Sequence, residues 1–463
     1  MYYKLLKLKN RVYDAAKIDW DHMMFDRSAI WKLLIPLMIE NLLASFMGMA
    51  DSMMVTRIGS AAISAVSLTD SINNLVIQLF SAMATGGTIR CSQYIGSGDP
   101  KKANAAARQV VLSMTSIAIV ITLFSEALNT QILRLVFGSV EPAVLSAAET
   151  YFRFTAASFP FLGLYQIGAA FYRAGGNSRF PMRVSVISNV MNIIGNAIFI
   201  FGFGWGLRGA ALATTLSMTV SALQVVRHLF FSRHPIQLTT AHLGIDRQWL
   251  GVCLGMGFAP FLAMACEALV GLLYNASLST YGGDVAVGAM AVYYVIGHII
   301  AYLIMGLSMA MQPMISYNFG MRSFERVRQC THLLITWSVA ICSVIWFVMM
   351  VAPGGVCRLF TNDAEIATFA SRYLRTYFFA GFLTGVPFVC MNTLRFVRQV
   401  KQAIGLVVFR RLLLSVPLIW LLPRFGGLPP VQAILMAAPI IDGVSAAVIL
   451  CLSLRTIHHL QEA

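Results

Sequence analysis

The chain says nearly the same thing twice. Pairing Pro36 with Pro260 sets an offset of 224 residues, and with no gap from Pro36 to Gly96 the landmarks coincide. Thr56 meets Thr280, Gly59 meets Gly283, Ala62 and Ala65 meet Ala286 and Ala289, Ser92 meets Ser316 and Gly96 meets Gly320. With an offset of 222 the register continues: Tyr151 meets Tyr373, Gly163 meets Gly385 and Arg173 meets Arg395. Such a chain must fold as two similar halves. Duplicated apolar halves are the organisation of secondary transporters, which bind at the repeat interface. The acids escape the duplication, because Asp51 faces Asn275 and Glu267 faces Leu43.

Of the 463 residues 58% are hydrophobic and only 11% charged, whereas soluble domains carry about 25% charged residues. Apolar runs of helix-spanning length, about 20 residues each, recur twelve times: 29–55, 61–89, 102–128, 146–172, 179–202, 206–231, 249–280, 285–316, 327–352, 366–394, 401–422 and 430–454. A membrane barrel would show short alternating strands instead. The expected fold is an all-α integral membrane protein with twelve transmembrane helices in two six-helix repeats. An even number of spans per repeat gives both the same orientation, related by a pseudo-two-fold axis along the membrane normal. The expected divisions are a cytoplasmic N-terminal segment 1–28, a first lobe 29–231, a cytoplasmic linker 232–248, a second lobe 249–454 and a cytoplasmic tail 455–463.

The net charge of +15 then reads as topology. With the N-terminus inside, most Lys and Arg fall on cytoplasmic loops and helix ends, among them Arg173, Arg322, Arg395, Arg410 and Arg411. This is the positive-inside pattern, with both ends in the cytosol. Nucleic-acid binding is disfavoured, because the basic residues are dispersed among apolar spans. The eight cysteines are scattered without metal-ligand spacing, and most fall inside spans as small hydrophobes. No cleavable signal is visible. Residues 3–24 are expected either as an amphipathic helix on the membrane surface or as a solvated tail.

Gly96-Ser97-Gly98-Asp99-Pro100-Lys101-Lys102 hints at a phosphate cradle but lacks the P-loop spacing. The better reading is local structure: glycines ending one helix, Asp99 capping the next and Pro100 at its first position. In the second half Ser323 is the candidate cap and the second glycine is replaced by Arg322.

Polar groups inside spans are costly, about 2.5–3.5 kcal/mol for a central Asp on the insertion scale, so each needs a reason. Asp51 has only apolar or small neighbours and no Lys or Arg within a turn. Such a carboxylate can exchange a proton or bind a cation; the alternative is a hydrogen bond to a neighbouring helix. Asn192 and Asn196 are one turn apart on a shared face, with Asn189 just before them. Asn73 and Asn74 in the second span can meet them, so that with Asp51 they form either a polar pocket or interhelical glue. Gln78, Asn275 and His298 are further candidates for a substrate cavity; His298 can exchange protons near neutral pH, the alternative being a hydrogen-bonded packing residue. Glu267 is the clearest acid of the second half, able to attract a cationic substrate or carry a coupling ion, or else to pair with an Arg or Tyr. Asp442 is open between cavity and packing, and Glu40 between pairing with Lys32 and with a basic loop.

Several segments resemble the MATE family, the multidrug and toxic compound extrusion transporters. Asp51-Ser52 followed by Ile58-Gly59 and Ala62 resembles the family's first-span ending. Tyr172-Arg173-Ala174-Gly175-Gly176-Asn177 with Pro181 resembles its Arg-Ala-x-Gly link. Gln312-Pro313-Met314-Ile315-Ser316-Tyr317-Asn318-Phe319-Gly320 is similar to its Gln-Pro-Ile-x-x-Tyr-Asn-x-Gly segment, and Pro439-Ile440-Ile441-Asp442 to a recurrent part of its last span. The resemblance covers nearly the whole chain. It implies two lobes around a central V-shaped cavity and export of bulky, often cationic compounds by alternating access, driven by protons or sodium. The family's first-span Asp matches Asp51, and its seventh-span Glu matches Glu267 within one position. The family's fifth-span acid is replaced by Asn196, and the acid some members carry in the tenth span falls near Thr384.

The expectation is therefore a non-enzymatic antiporter in a bacterial inner membrane, monomeric, without cofactor or structural metal. Asp51, Asn192, Asn196 and Glu267 would serve ion coupling, with a possible Na+ near Asp51. Its partners would be a small organic substrate and the bilayer. A flippase for a lipid-linked saccharide, or an exporter of one endogenous metabolite, is the alternative; a flippase favours a cavity lined by Arg and Lys, whereas the candidates here are acids and amides. An integral membrane enzyme would need a catalytic cluster, and none is present in the sequence.

Overall fold

The computed structural model describes residue 25 and residues 29–138, 141–231, 236–238 and 247–461. The segment 3–24 and most of the linker 232–248 lie outside the described residues. The described chain is helical without strands and divides into two compact units, Met23–Pro260 and Phe261–Ala463.

In the first unit, α1 (Ala29–Thr56), α2 (Ser60–Gly96) and α3 (Pro100–Ala127) are followed by the short α4 (Asn129–Phe137). Next come α5 (Pro142–Ala157), α6 (Phe159–Ala174), α7 (Arg179–Asn196) and α8 (Gly206–Phe231). The long α9 (Arg247–Gly320) leads into the second unit, which continues with α10 (Phe324–Val351), the short α11 (Pro353–Arg358), α12 (Ala364–Tyr377) and α13 (Gly385–Phe396). It ends with α14 (Val400–Val408), α15 (Val416–Phe425) and α16 (Pro430–His458).

Eight of these helices or helix runs are long and apolar enough to span a membrane, and two bent pairs, α5 with α6 and α12 with α13, make ten. The polar α2 and a division of α9 complete the twelve spans. The stretch Ala265–Gly320 has 56 residues, about 84 Å of helix against a hydrocarbon core of about 30 Å. It breaks at Gly283, where φ is 66°. The matching position in the first half is Gly59, with φ 143°, between α1 and α2. Both glycines adopt backbone angles that side chains disfavour, so the duplicated glycine marks the same break twice. Leu123, Val344 and Phe347 are each more than 60% exposed, as expected of residues facing lipid.

The fourth and tenth spans, continuous by hydropathy, are broken. α5 and α6 meet at 45° and α12 and α13 at 63°. The breaks fall at Ser158 and around Ala380, equivalent positions in the repeat. A bend frees backbone carbonyls, and within a membrane these need other donors. Thr215 Oγ1 on α8 donates to Phe154 O at 2.8 Å and Thr122 Oγ1 on α3 to Ala156 O at 3.1 Å. In the second half Trp346 Nε1 on α10 donates to Phe379 O at 3.0 Å.

The loop expectations divide. Asp99 caps α3, accepting from the Lys102 backbone N at 3.0 Å, with Pro100 at the first position. The side-chain hydrogen bond from Lys102 is the main cause holding the Asp99 carboxyl below its usual range, followed by the backbone bond. Ser323 occupies the matching cap position before α10, but its side chain makes no capping bond. Gly98 and Gly176 have φ of 76° and 81°, and their second-half equivalents Arg322 and Arg398 keep the left-handed turn at 59° and 67°. The turn survives the loss of its glycine.

Fully buried Phe80, Met114, Val110 and Phe152 form the core where α2, α3, α5 and α6 meet. Gly168 on α6 lets α8 approach so closely that a Cβ there would overlap Val225.

Candidate functional site

Two constellations of buried polar groups lie within the membrane-spanning part, one in each unit, and each sits at a π-helical turn. Such turns re-aim side chains and occur often at functional sites. In the first unit α7 passes directly into the π turn Ala197–Gly202 after Asn196. In the second, the π segment Phe409–Ser415 joins α14 to α15 and carries Arg410 and Arg411, with Ser415 Oγ donating to Arg410 O at 2.8 Å.

The first constellation joins α1, α7 and α8. Asn196 Nδ2 donates to Asp51 Oδ1 at 2.6 Å and to Asn192 Oδ1 at 3.0 Å, and Asn192 Nδ2 donates to Thr214 Oγ1 at 3.0 Å. Asn192 and Asn196 are buried, whereas Asp51 is half-buried. No ion pair reaches Asp51 among the described residues. Asp70 on α2 lies within its electrostatic reach and shares a hydrogen bond with Asn73. Turning the Asn192 amide over brings its nitrogen to 2.9 Å from Asp51 Oδ1 and lets its oxygen accept from Thr214 Oγ1, but sets two amide nitrogens 3.0 Å apart.

Of the other first-half candidates, Asn73 does not meet α7. It turns to Asp70 and to Thr155 on α5, whose Oγ1 lies 3.5 Å from Asn73 Oδ1. Asn74 is exposed and Gln78 half-buried on α2. Among the described residues Glu40 pairs not with Lys32 but with Arg173, in the last turn of α6 beside the Gly175-Gly176 loop. It receives Arg173 Nη1 at 3.1 Å and the Tyr165 hydroxyl at 3.0 Å, both from α6. Both ends of that ion pair are nearly buried, so it ties α1 to α6 from within.

The second constellation lines a cavity of about 190 Å³ between α9, α13, α16 and the α14–α15 span. Arg410 Nη2 meets Asp442 Oδ1 at 2.7 Å, and Thr384 Oγ1 donates to Asp442 Oδ2 at 2.7 Å. Arg411 Nη2 meets Glu267 Oε1 at 3.1 Å. Both arginines, expected on the cytoplasmic side, sit instead in the middle of the α14–α15 span, and each meets a carboxylate. Thr384 thus binds an acid carried by another helix. His298 lines the cavity, its ring 6.4 Å from that of Tyr302. Asn275 is half-buried and is not among the lining residues. Tyr274, Tyr293 and Tyr377 form an aromatic wall, with the rings of Tyr293 and Tyr377 stacked at 4.8 Å.

Thr214, Arg410 and Arg411 were missed as site residues. The arginines carried a usable signal, since they stand near the middle of the apolar run 401–422. Thr214 carried none, because threonine is common in membrane helices. Among the described residues no cluster of His, Cys, Asp and Glu could hold a metal ion.

The model of the MatE family matches twice, over residues 36–198 and 260–421. The chain is 25% identical over 433 residues to the "Multidrug export protein MepA" of Staphylococcus saprophyticus, covering 92% of this chain and 95% of the relative. It is 26% identical over 412 residues to the protein of the same name from Staphylococcus haemolyticus, covering 87% and 89%. Among solved structures, one titled "Crystal structure of MATE in the bent conformation" superposes with a TM-score of 0.86 at 23% identity, covering 94% of this chain and 96% of that one. The twelve-helix fold is shared, and the family pattern recurs in both halves over most of the length. The chain is a multi-pass membrane protein that belongs to the MatE family of transporters, and it is not an enzyme.

Proposed function

We propose that this protein is a secondary active exporter of bulky, cationic organic compounds, an antiporter in a bacterial inner membrane with both termini cytoplasmic. The observation that carries this reading is Asp51: a membrane-embedded carboxylate held by Asn196 and matched by no described cation. Such a group is costly in a membrane unless it works there. The names of the relatives, multidrug export proteins, support the substrate class.

Asp51 takes up the coupling ion, a proton or Na+, with Asn192 and Asn196 adjusting to its charge. Buried Asn196 Oδ1 has no hydrogen-bond partner, so an acceptor stands ready beside the carboxylate for a proton donor or a small cation. Ion uptake rests on Asp51 and not on Glu267, because Arg411 already supplies the countercharge of Glu267. The lobes 29–231 and 249–454 would rock about the linker to give alternating access, in a protein working as a monomer.

One observation favours a second reading, export of a specific endogenous metabolite: the paired charges of the second-half cavity demand a matched ligand. A lipid-linked saccharide flippase gains little from Arg410 and Arg411, since each is neutralised by a carboxylate and no surplus charge is left for a pyrophosphate.

The test is reconstitution into liposomes carrying a fluorescent organic cation. Inward proton and inward sodium gradients are imposed separately at fixed internal composition. Export that follows one gradient supports the reading and names the ion; cation movement indifferent to both contradicts it.

A further inference from the structure

The second-half cavity contains more chemistry than ion coupling through Asp51 requires. Its two ion pairs are unequal. Arg410 and Asp442 are 11% and 16% exposed, joined at 2.7 Å and fixed further by Thr384. Arg411 and Glu267 are 29% and 56% exposed and joined at 3.1 Å. The first pair is built in; the second is loose and open to exchange.

We propose that this cavity binds a small aromatic zwitterion, whose anionic group takes Arg411 and whose cationic group takes Glu267. Charge balance at membrane depth selects the class. A simple cation that captures Glu267 leaves the Arg411 guanidinium without its partner, beside a second guanidinium. A simple anion that captures Arg411 strands Glu267. An ionised side chain left without its partner at membrane depth is costly. A zwitterion satisfies both members at once and leaves the charge balance of the cavity unchanged.

Size and lining narrow the class further. About 190 Å³ is below the roughly 300–1,000 Å³ of drug-sized sites. Tyrosine faces suit an aromatic ring, which pairs with them edge-on or offset. The hydroxyls of Tyr274 and Tyr294 and the Arg410 Nε are buried without a hydrogen-bond partner, so polar atoms remain for the ligand. The inference goes beyond the export reading, and binding is measured without any gradient. Its failure would leave gradient-driven export standing, and failure of export would leave the binding site standing.

The test uses the purified full-length protein in detergent and calorimetric titration with three probes of matched ring and chain: L-phenylalanine, phenethylamine and 3-phenylpropionate. The expected result is binding of phenylalanine about tenfold or more tighter than of either singly charged probe, about 1.4 kcal/mol. Arg411→Gln is expected to make phenethylamine the preferred probe, and Glu267→Gln to make 3-phenylpropionate the preferred one. A folding defect would weaken all three alike and could not reverse the order. If one variant cannot be purified, the wild-type order and the other variant still decide. The proposal is overturned if phenethylamine binds the wild type as tightly as phenylalanine. It is overturned equally if none of the probes binds at millimolar concentration, or if both variants keep the wild-type order.

Discussion

Asn196 Nδ2 lies 2.6 Å from Asp51 Oδ1, fastening α7 to α1 at the point where α7 turns into a π-helix. The amide of Asn196 donates to a carboxylate that no described cation neutralises. A hydrogen bond to a charged group contributes about 1.5–3 kcal/mol, against about 0.5–1.5 for a neutral pair. Asn196→Leu is therefore expected to lower the initial rate of gradient-driven export by about tenfold or more, with the amount of folded protein unchanged. Export at the wild-type rate would show that the contact is only packing.

The pair Arg410–Asp442 calls for a double-mutant cycle. Breaking a buried ion pair from one side costs about 3–5 kcal/mol, while replacing both partners by apolar residues is far milder. Arg410→Met and Asp442→Leu are each expected to lower the melting temperature of the purified protein markedly, and the double variant to recover most of the loss. Additive losses would mean that the two side chains do not depend on each other.

The left-handed turns before α10 and α14 keep arginine where the first half has glycine, with φ of 59° at Arg322 and 67° at Arg398. That conformation costs a side-chain residue about 1–2 kcal/mol, part of which glycine forfeits through the greater freedom of its unfolded chain. Arg322→Gly should raise stability by up to about 1 kcal/mol, and Gly98→Arg should lower it by a similar amount. Thermal unfolding of the two variants checks both signs.

Gly168 makes the closest approach of α6 to α8, against the fully buried Val225. Gly168→Ala is expected to destabilise by about 1–3 kcal/mol through overpacking. Adding Val225→Ala should return part of the loss, because it removes the atoms that the new methyl meets. A double variant less stable than both singles would argue against this contact as the cause.

Much of the architecture could be read from the residues. The twelve apolar runs correspond to the helical spans, and the shared glycines Gly59 and Gly283 mark matching breaks. The bends at Ser158 and Ala380 were hidden, because hydropathy averages over a bend and the donors that stabilise it, Thr122, Thr215 and Trp346, lie on other helices. The one-turn spacing of Asn192 and Asn196 puts them on one face, and the contact of Asn196 with Asp51 emerges only when α1 packs on α7. Asn73 misled, since its partner depends on how α2 faces α5. Arg410 and Arg411 were placed by the usual bias of basic residues toward the cytoplasmic side, although two charges near the middle of an apolar run are better explained by internal partners. Those partners, Glu267 and Asp442, lie on helices whose relative register no pattern in a single sequence reveals.

The central claim is that Asp51 couples an ion gradient to export. Asp51→Asn keeps the size and hydrogen-bonding capacity of the side chain while removing its ability to ionise. The decisive measurement is the initial rate of organic-cation export in proteoliposomes under the driving gradient, wild type against Asp51→Asn, at equal protein incorporation. The expected result is loss of the gradient-dependent rate with substrate binding retained. Undiminished gradient-driven export by Asp51→Asn would contradict the account.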